Sequence, residues 1–357
     1  MIARTSNECQ TENQRISVLE PGAASVAKHS AWQAELAGAQ ISPQELLAAL
    51  HIPLAGQRAN LLAHEQSTNF PLRVTRSFIA RMKPGDINDP LLRQVLPLQD
   101  EALQHPQYSA DPLDEQRFNP APGVIQKYRS RALLIVTQAC AIHCRYCFRK
   151  QFPYSDNRPG LAGWQKSLEH LRRDSSINEV IYSGGDPLAA SDEFLAQLTD
   201  RIAQIKHINR LRLHSRLPVV LPKRVDDSLL AWLERWPGQR VLVIHCNHPN
   251  ELDSEVGAAL ARLAAVGVTL LNQAVLLRGV NDEASTQIAL SEKLFAYGVM
   301  PYYLHMLDKV SGTQHFAVAR EHALQLAEAM RQQLPGYLLP KLVEELPGQP
   351  AKSPVLK

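Results

Sequence analysis

No apolar run in this chain reaches the roughly 20 residues needed to cross a bilayer. The start, Met1 to Gln10, lacks the apolar core of a secretory signal, so the chain reads as a cytoplasmic protein with no membrane partner. Charge of one sign is missing too: 38 Lys and Arg against 35 Asp and Glu leave a net charge of +3, too small to imply nucleic acid as a partner. Cysteine is scarce and odd in number, at five, which without an export signal argues against a disulfide framework. Repeats and low-complexity tracts are absent. What remains is the composition of a folded globular protein, 45% hydrophobic and 20% charged. At 357 residues it is long enough for one barrel-sized domain with extensions or for two ordinary domains.

From about residue 130, short β-branched runs alternate with amphipathic stretches, the pattern of repeated βα units on a parallel sheet. The strands expected are Ala132 to Thr137, Glu179 to Ser183, Arg210 to His214, Val241 to His245, Val268 to Leu277 and Met300 to Leu307. Helices are expected at Leu161 to Arg173, Asp192 to Ile205, Asp227 to Trp236, Ser254 to Val266, Ser285 to Tyr297 and Glu321 to Leu334. Six such units build either an open doubly wound sheet or a partial barrel. Unusual residues cluster at the C-terminal strand ends: Cys140, Gly184-Gly185-Asp186, His214-Ser215-Arg216, His245-Cys246-Asn247, Asn272-Gln273 and Asp308. In a barrel those ends share one mouth, which favours an α/β fold with a partial (β/α)6 barrel over residues 123–334. Residues 1–122 read as a helical extension, with helical periodicity in Trp32 to Ala37, Ser42 to Leu50 and Leu72 to Met82, and residues 335–357 as a short C-terminal segment.

Three of the five cysteines, Cys140, Cys144 and Cys147, follow the apolar run Leu133-Leu134-Ile135-Val136 with the spacing C-x3-C-x2-C. Three thiolates can hold three irons of a four-iron cluster and leave the fourth open to coordinate and reduce a substrate. A zinc site using His143 is the formal alternative. It would put adjacent residues, His143 and Cys144, on two corners of one tetrahedron, and the chain has no second C-x2-C pair. Cys9 and Cys246 have no partner spacing and read as structural.

The cysteine loop, with Tyr146 just before its third cysteine, resembles that of the radical S-adenosylmethionine (radical SAM) superfamily. Ser183-Gly184-Gly185-Asp186-Pro187 alone reads as a turn, but after the second strand it resembles that superfamily's Gly-Gly-acidic motif. A narrower resemblance, to the lysine 2,3-aminomutase family, covers most of the chain from residue 120. It is carried by Lys127-Tyr128-Arg129-Ser130-Arg131, Cys147-Phe148-Arg149, His245-Cys246-Asn247-His248-Pro249-Asn250-Glu251, the stretch from Asn272 to Asp282, Pro301-Tyr302-Tyr303 through Asp308, and Pro347 to Pro354.

This resemblance implies a barrel of radical SAM type and an isomerase that turns (S)-α-lysine into (R)-β-lysine with a [4Fe-4S] cluster on Cys140, Cys144 and Cys147, SAM, and pyridoxal 5'-phosphate (PLP). It implies SAM contacts at Gly184, Gly185, Asp186, His245 and Gln273, and covalent attachment of PLP to Lys352, whose amine must be desolvated enough to lose a proton near neutral pH. It further implies a PLP phosphate held by Lys127 and Arg131, a substrate carboxylate on Arg149, whose planar two-pronged donor suits it, and a distal substrate ammonium between Asp308 and Glu345. Flavodoxin or ferredoxin would donate the electron. The chain ends five residues after Lys352, which resembles the short bacterial form that supplies β-lysine for elongation factor P and its lysyl ligase, without the zinc-binding C-terminal segment of the long enzymes. Two departures stand out: Gly348-Gln349-Pro350-Ala351 replaces a run of glycines, and Glu345 replaces the usual Asp. Another substrate such as glutamate or arginine, a radical SAM enzyme without PLP, and a non-enzymatic metal-binding protein remain open.

Overall fold

The computed structural model describes residues 30–56, 61, 70–154, 157, 159 and 161–356. Cys9 and the segment Met1 to Gln10 lie outside the described residues. Among the described residues one sheet holds β1 (Val124–Tyr128), β2 (Arg131–Thr137), β3 (Glu179–Gly184), β4 (Arg210–Ser215), β5 (Gln239–His245), β6 (Val268–Val275), β7 (Met300–His305), β8 (Lys341–Glu344) and β9 (Ser353–Pro354), in that spatial order. Strands β2 to β8 run parallel, with β1 and β9 antiparallel at the two edges. All six expected strands are present. The three additional ones escaped the pattern because β8 and β9 span only four and two residues and β1 mixes Val124 and Ile125 with Gln126 and Lys127.

The choice between an open flat sheet and a partial barrel is decided by one contact. Seven strand spacings separate β1 from β8, about 33 Å in a flat sheet. Yet Lys127 of β1 donates from Nζ to Oε1 of Glu345, the residue after β8, at 2.9 Å. The sheet therefore curls until its two ends face each other, and it stays open because β1 and β9 remain edges. Alternation along the strands sends Ile181 and Ser183 of β3, Arg212 and His214 of β4, His245 of β5 and Gln273 of β6 into the interior, while Tyr182, Leu213, Ile244 and Ala274 face the helices.

The outer helices match expectation, their ends shifted by at most two residues, as with Ala203 for the expected Ile205. Helix Asp227–Arg235 shows how they form: the Asp226 carboxylate accepts from the Leu229 amide at 3.0 Å, and Leu229, Trp232 and Leu233 share the buried face. Each such side chain, fully buried, contributes about 1.5–3 kcal/mol.

In the N-terminal extension the helix expected over Leu72 to Met82 shrinks to Arg76–Ile79. The backbone before it is extended, because Val74 donates to the Ala39 carbonyl at 2.8 Å and Arg73 pairs with Gln40, and Thr75 then caps the short helix. Helices Ala31–Ala37 and Pro43–Ala49 form much as expected. Trp32 Nε1 donates to Asp226 Oδ2 at 3.0 Å, so the cap of a barrel helix also anchors the extension. Trp32, Leu46, Phe78 and Leu91 belong to the same buried cluster as Leu134, Tyr182 and Leu242.

Candidate active site

The loop after β2 carries the three cysteines and is held from two sides. From the extension, Arg73 Nε donates to the Cys140 carbonyl at 3.1 Å, and the Gln94 carbonyl accepts from the Arg145 amide at 2.9 Å. Arg145 is itself buried on Glu101, with bonds of 2.8 and 2.5 Å, so this guanidinium anchors the loop. From the barrel, the amides of Gly185 and Asp186 donate to the carbonyls of Thr137 and Ala139 at 2.7 and 2.8 Å. That approach leaves no room for a side chain: Gly184 has φ +119°, a Cβ there would lie 2.4 Å from the Thr137 oxygen, and one at Gly185 2.5 Å from the Ala139 oxygen. The Gly-Gly pair thus has a packing reason.

Cys140, Cys144 and Cys147 are free thiols. Burial pushes Cys140 well up, with the charges of Asp186, Cys147 and Cys144 adding to it, and Cys147 is pushed up to about 12 by burial and by Cys144. His143 is occupied elsewhere: its Nδ1 lies 2.6 Å from the Pro71 carbonyl and its ring stacks on Phe70 at 4.4 Å.

One cavity of about 1110 Å³ is lined by every residue that the sequence singled out for cofactor or substrate: the three cysteines, Lys127, Arg131, Arg149, Gly184, Gly185, Asp186, His245, Gln273, Asp308, Glu345 and Lys352. Lys127 lies on β1 and Arg131 opens β2, so the two are joined by a hairpin and do not simply precede the first strand. Arg131 stacks over the Tyr128 ring at 4.0 Å. Asp186 reaches the cavity, but its carboxylate already accepts from Ser215 Oγ at 2.7 Å and from the amides of Leu188, Arg216 and Leu217 at 3.1, 2.7 and 3.2 Å. It ties the end of β3 to the end of β4. His245 is pushed down to about 3 by burial and takes the Gln273 Nε2 donor on its own Nε2 at 2.9 Å.

Along one wall the charges alternate. Arg149 donates from Nε and Nη2 to both oxygens of Glu115 at 2.8 and 2.9 Å. Glu115 lies 3.4 Å from Lys127, Lys127 reaches Glu345 at 2.9 Å, and Lys352 Nζ donates to the other Glu345 oxygen at 2.5 Å. Although burial pushes upward, Lys352 and Lys127 hold Glu345 down to about 2. Asp308, beside this row, is pushed up to about 7 by burial and by the Glu345 charge.

Glu115, Arg216, His214 and His305 were not singled out as ligand contacts. Glu115 comes from an aperiodic Pro-rich stretch, Asp111-Pro112-Leu113-Asp114-Glu115, where nothing in one sequence marks an inward side chain. His214 and His305 alternate with apolar residues in their strands, and that inward phase was the available signal.

A family model described as "4Fe-4S single cluster domain" matches residues 128–213, the stretch with the cysteine loop and the Gly-Gly pair. An L-lysine 2,3-aminomutase of Escherichia coli (strain K12) is 48% identical over 91% of this chain and 94% of its own length. Its counterpart from Haemophilus influenzae is 44% identical over 90% and 94%, and one from Clostridium subterminale 35% identical over 80% and 68%. The chain belongs to the L-lysine 2,3-aminomutase family. Members of this aminomutase family are isomerases that use a four-iron cluster, SAM and PLP.

The residues present fit these groups. Burial and the neighbouring cysteines oppose ionisation of Cys140 and Cys147, and cationic iron would reverse this by binding the thiolates. Lys127, Arg131 and Lys352 supply cations near two tyrosines, and His214 Nε2, His305 Nε2 and Arg212 Nε are buried without a partner on the same cavity, donors and acceptors that a polar ligand would satisfy. No helix among the described residues is long and apolar enough to cross a membrane.

Proposed function

We propose that this chain converts (S)-α-lysine to (R)-β-lysine. The observation that carries the reading is the Glu345 carboxylate, which already holds the ammonium of Lys352 at 2.5 Å inside the cavity. A pocket end built to receive a primary ammonium favours a lysine side chain and disfavours glutamate. Arg149 is the cation assigned to the substrate carboxylate, which would take the place of Glu115 on Nε and Nη2 or of Ser183 on Nη1; lysine would then be gripped by opposite charges at its two ends, with C2 and C3 between them. Cys140, Cys144 and Cys147 would hold the cluster, Gly184, Gly185, Asp186, His245 and Gln273 would border SAM, and Lys127, Arg131 and Lys352 would bind PLP.

When bound, the cluster and SAM supply a hydrogen-abstracting radical, and PLP supplies the carbon that carries the migrating nitrogen. The chain's own part is positioning. Lys352 must surrender a proton from Nζ to act as a nucleophile, and the Glu345 carboxylate that accepts from Nζ in this structure is the group the substrate ammonium would engage. Asp308 supplies a second acceptor as it ionises. The curled sheet surrounds the reacting carbons with His214, His245 and His305, all kept neutral by burial, which limits quenching by water.

The same reading divides the chain into an extension over 1–122, the barrel over 123–334 and a lysine-bearing segment over 335–357. It takes a low-potential protein such as flavodoxin or ferredoxin as electron donor, the cytoplasm as location, and elongation factor P with its lysyl ligase as the destination of the product, supported by the likeness of residues 341–354 to the short bacterial form. The test is anaerobic incubation with lysine, SAM, PLP and reductant followed by chiral amino acid analysis. (R)-β-lysine is the expected product; conversion of glutamate or arginine with none from lysine would replace the substrate. Loss of the β-lysyl mass from elongation factor P in a strain lacking this chain tests the destination.

A further inference from the structure

Beside the cysteine loop lies a largely buried polar cluster, reaching the cavity through Tyr146, Arg216 and Asn247, that the reaction as described does not use. Arg216, just after β4 and 6% exposed, sits at its centre. Its Nη1 donates to the Cys144 sulfur at 2.9 Å and to the Tyr146 hydroxyl at 2.6 Å, and its Nη2 donates to Gln94 Oε1 at 2.6 Å and Glu251 Oε2 at 2.9 Å. The cluster is braced from further sides: Gln94 Nε2 donates to Glu251 Oε1 at 3.0 Å, and Asn247 Nδ2 donates to Tyr146 and Gln94 at 2.6 and 3.0 Å. Four partners hold the guanidinium in one orientation, and a guanidinium does not lose its proton in a protein. The donor to Cys144 is therefore permanent.

We propose that Arg216 is a positioning residue that sets the reduction potential of the cluster by donating a charged hydrogen bond to the Cys144 sulfur. This rests on Cys144 being a cluster ligand. Reduction places one electron on the iron and sulfur atoms and makes the thiolates more basic. A fixed cationic donor 2.9 Å from one sulfur stabilises the reduced form more than the oxidised form and raises the potential. Glu251 opposes this, but it bonds the other guanidinium nitrogen, so its negative charge acts from farther away.

Removing Arg216 alone would leave Glu251 buried with no counter-charge, and that variant could fail to fold. The test therefore uses Glu251→Gln and the neutral pair Arg216→Gln with Glu251→Gln, each reconstituted anaerobically and titrated by electron paramagnetic resonance of the reduced cluster, without SAM or lysine. Glu251→Gln, which keeps the donor and loses the opposing charge, is expected to raise the potential. The double variant is expected to lower it below the parent, with an about tenfold smaller ratio of reduced to oxidised cluster at a fixed poise, or about 59 mV for one electron. Opposite shifts do not follow from a merely structural role. Clusters of parental potential in both variants overturn the role of Arg216 while leaving the cluster assignment standing. A parent that assembles no iron and sulfide overturns both.

Discussion

Nζ of Lys352 donates to Glu345 at 2.5 Å, and that carboxylate is the one we assign to the distal ammonium of lysine. Glu345→Gln removes the charge and keeps the shape. Losing one partner of a buried charge pair costs about 2–5 kcal/mol, so KM for lysine is expected to rise about thirtyfold or more. Steady-state β-lysine formation across lysine concentrations checks this. An unchanged KM would move the ammonium site elsewhere.

Asp308 is expected to give the pocket a pH dependence. It faces Glu345, Glu115, Lys352 and Lys127, and burial with the Glu345 charge pushes it up to about 7, so in the unloaded pocket it is protonated below that pH. Only the ionised form attracts an ammonium. Hence kcat/KM for lysine is expected to rise with pH through about 7, a limb that Asp308→Asn flattens. At Glu345 the shift runs the other way: held down to about 2 from an ordinary 4.5, it stabilises the fold fully above pH 4.5, and that contribution is lost as pH falls through about 2. The Tm gap between parent and Glu345→Gln should therefore close over that acid range.

Cys144→Ala separates the two halves of the site. Formation of 5'-deoxyadenosine is expected to fall to background, because the cluster would lose one of its three proposed protein ligands, while PLP absorbance on the protein is expected to persist if Lys352, Lys127 and Arg131 hold it as proposed. Continued SAM cleavage in this variant would refute the cluster assignment.

Much of this arrangement was legible because it follows period and spacing. The β2 to β7 strands announce themselves as β-branched runs, and the cysteine loop by three residues that have no bland use together. Curvature was legible only indirectly, from polar residues gathered at strand ends, until the Lys127–Glu345 contact brought the two sheet edges together. The alternating charge row escaped because its members lie far apart in the chain: Glu115 pairs with Arg149 across 34 residues, and Lys127 with Glu345 across 218. Nor does one sequence say that Asp186 spends its carboxylate on Ser215 and three amides.

Glu115 supplies the last prediction. It is 4% exposed and counters both Arg149 and Lys127. Glu115→Gln leaves these two cations short of one charge in a confined site, and breaking such a buried pair costs about 3–5 kcal/mol. A lower Tm than the parent is expected in the absence of PLP. The phosphate of PLP is a dianion assigned to Lys127, so it can replace part of the missing negative charge. PLP should therefore raise the Tm of Glu115→Gln by more than it raises that of the parent, in scans at equal cofactor concentration. Equal increments in the two proteins would place the phosphate away from Lys127, because a dianion bound beside that ammonium cannot be indifferent to the loss of its neighbouring carboxylate.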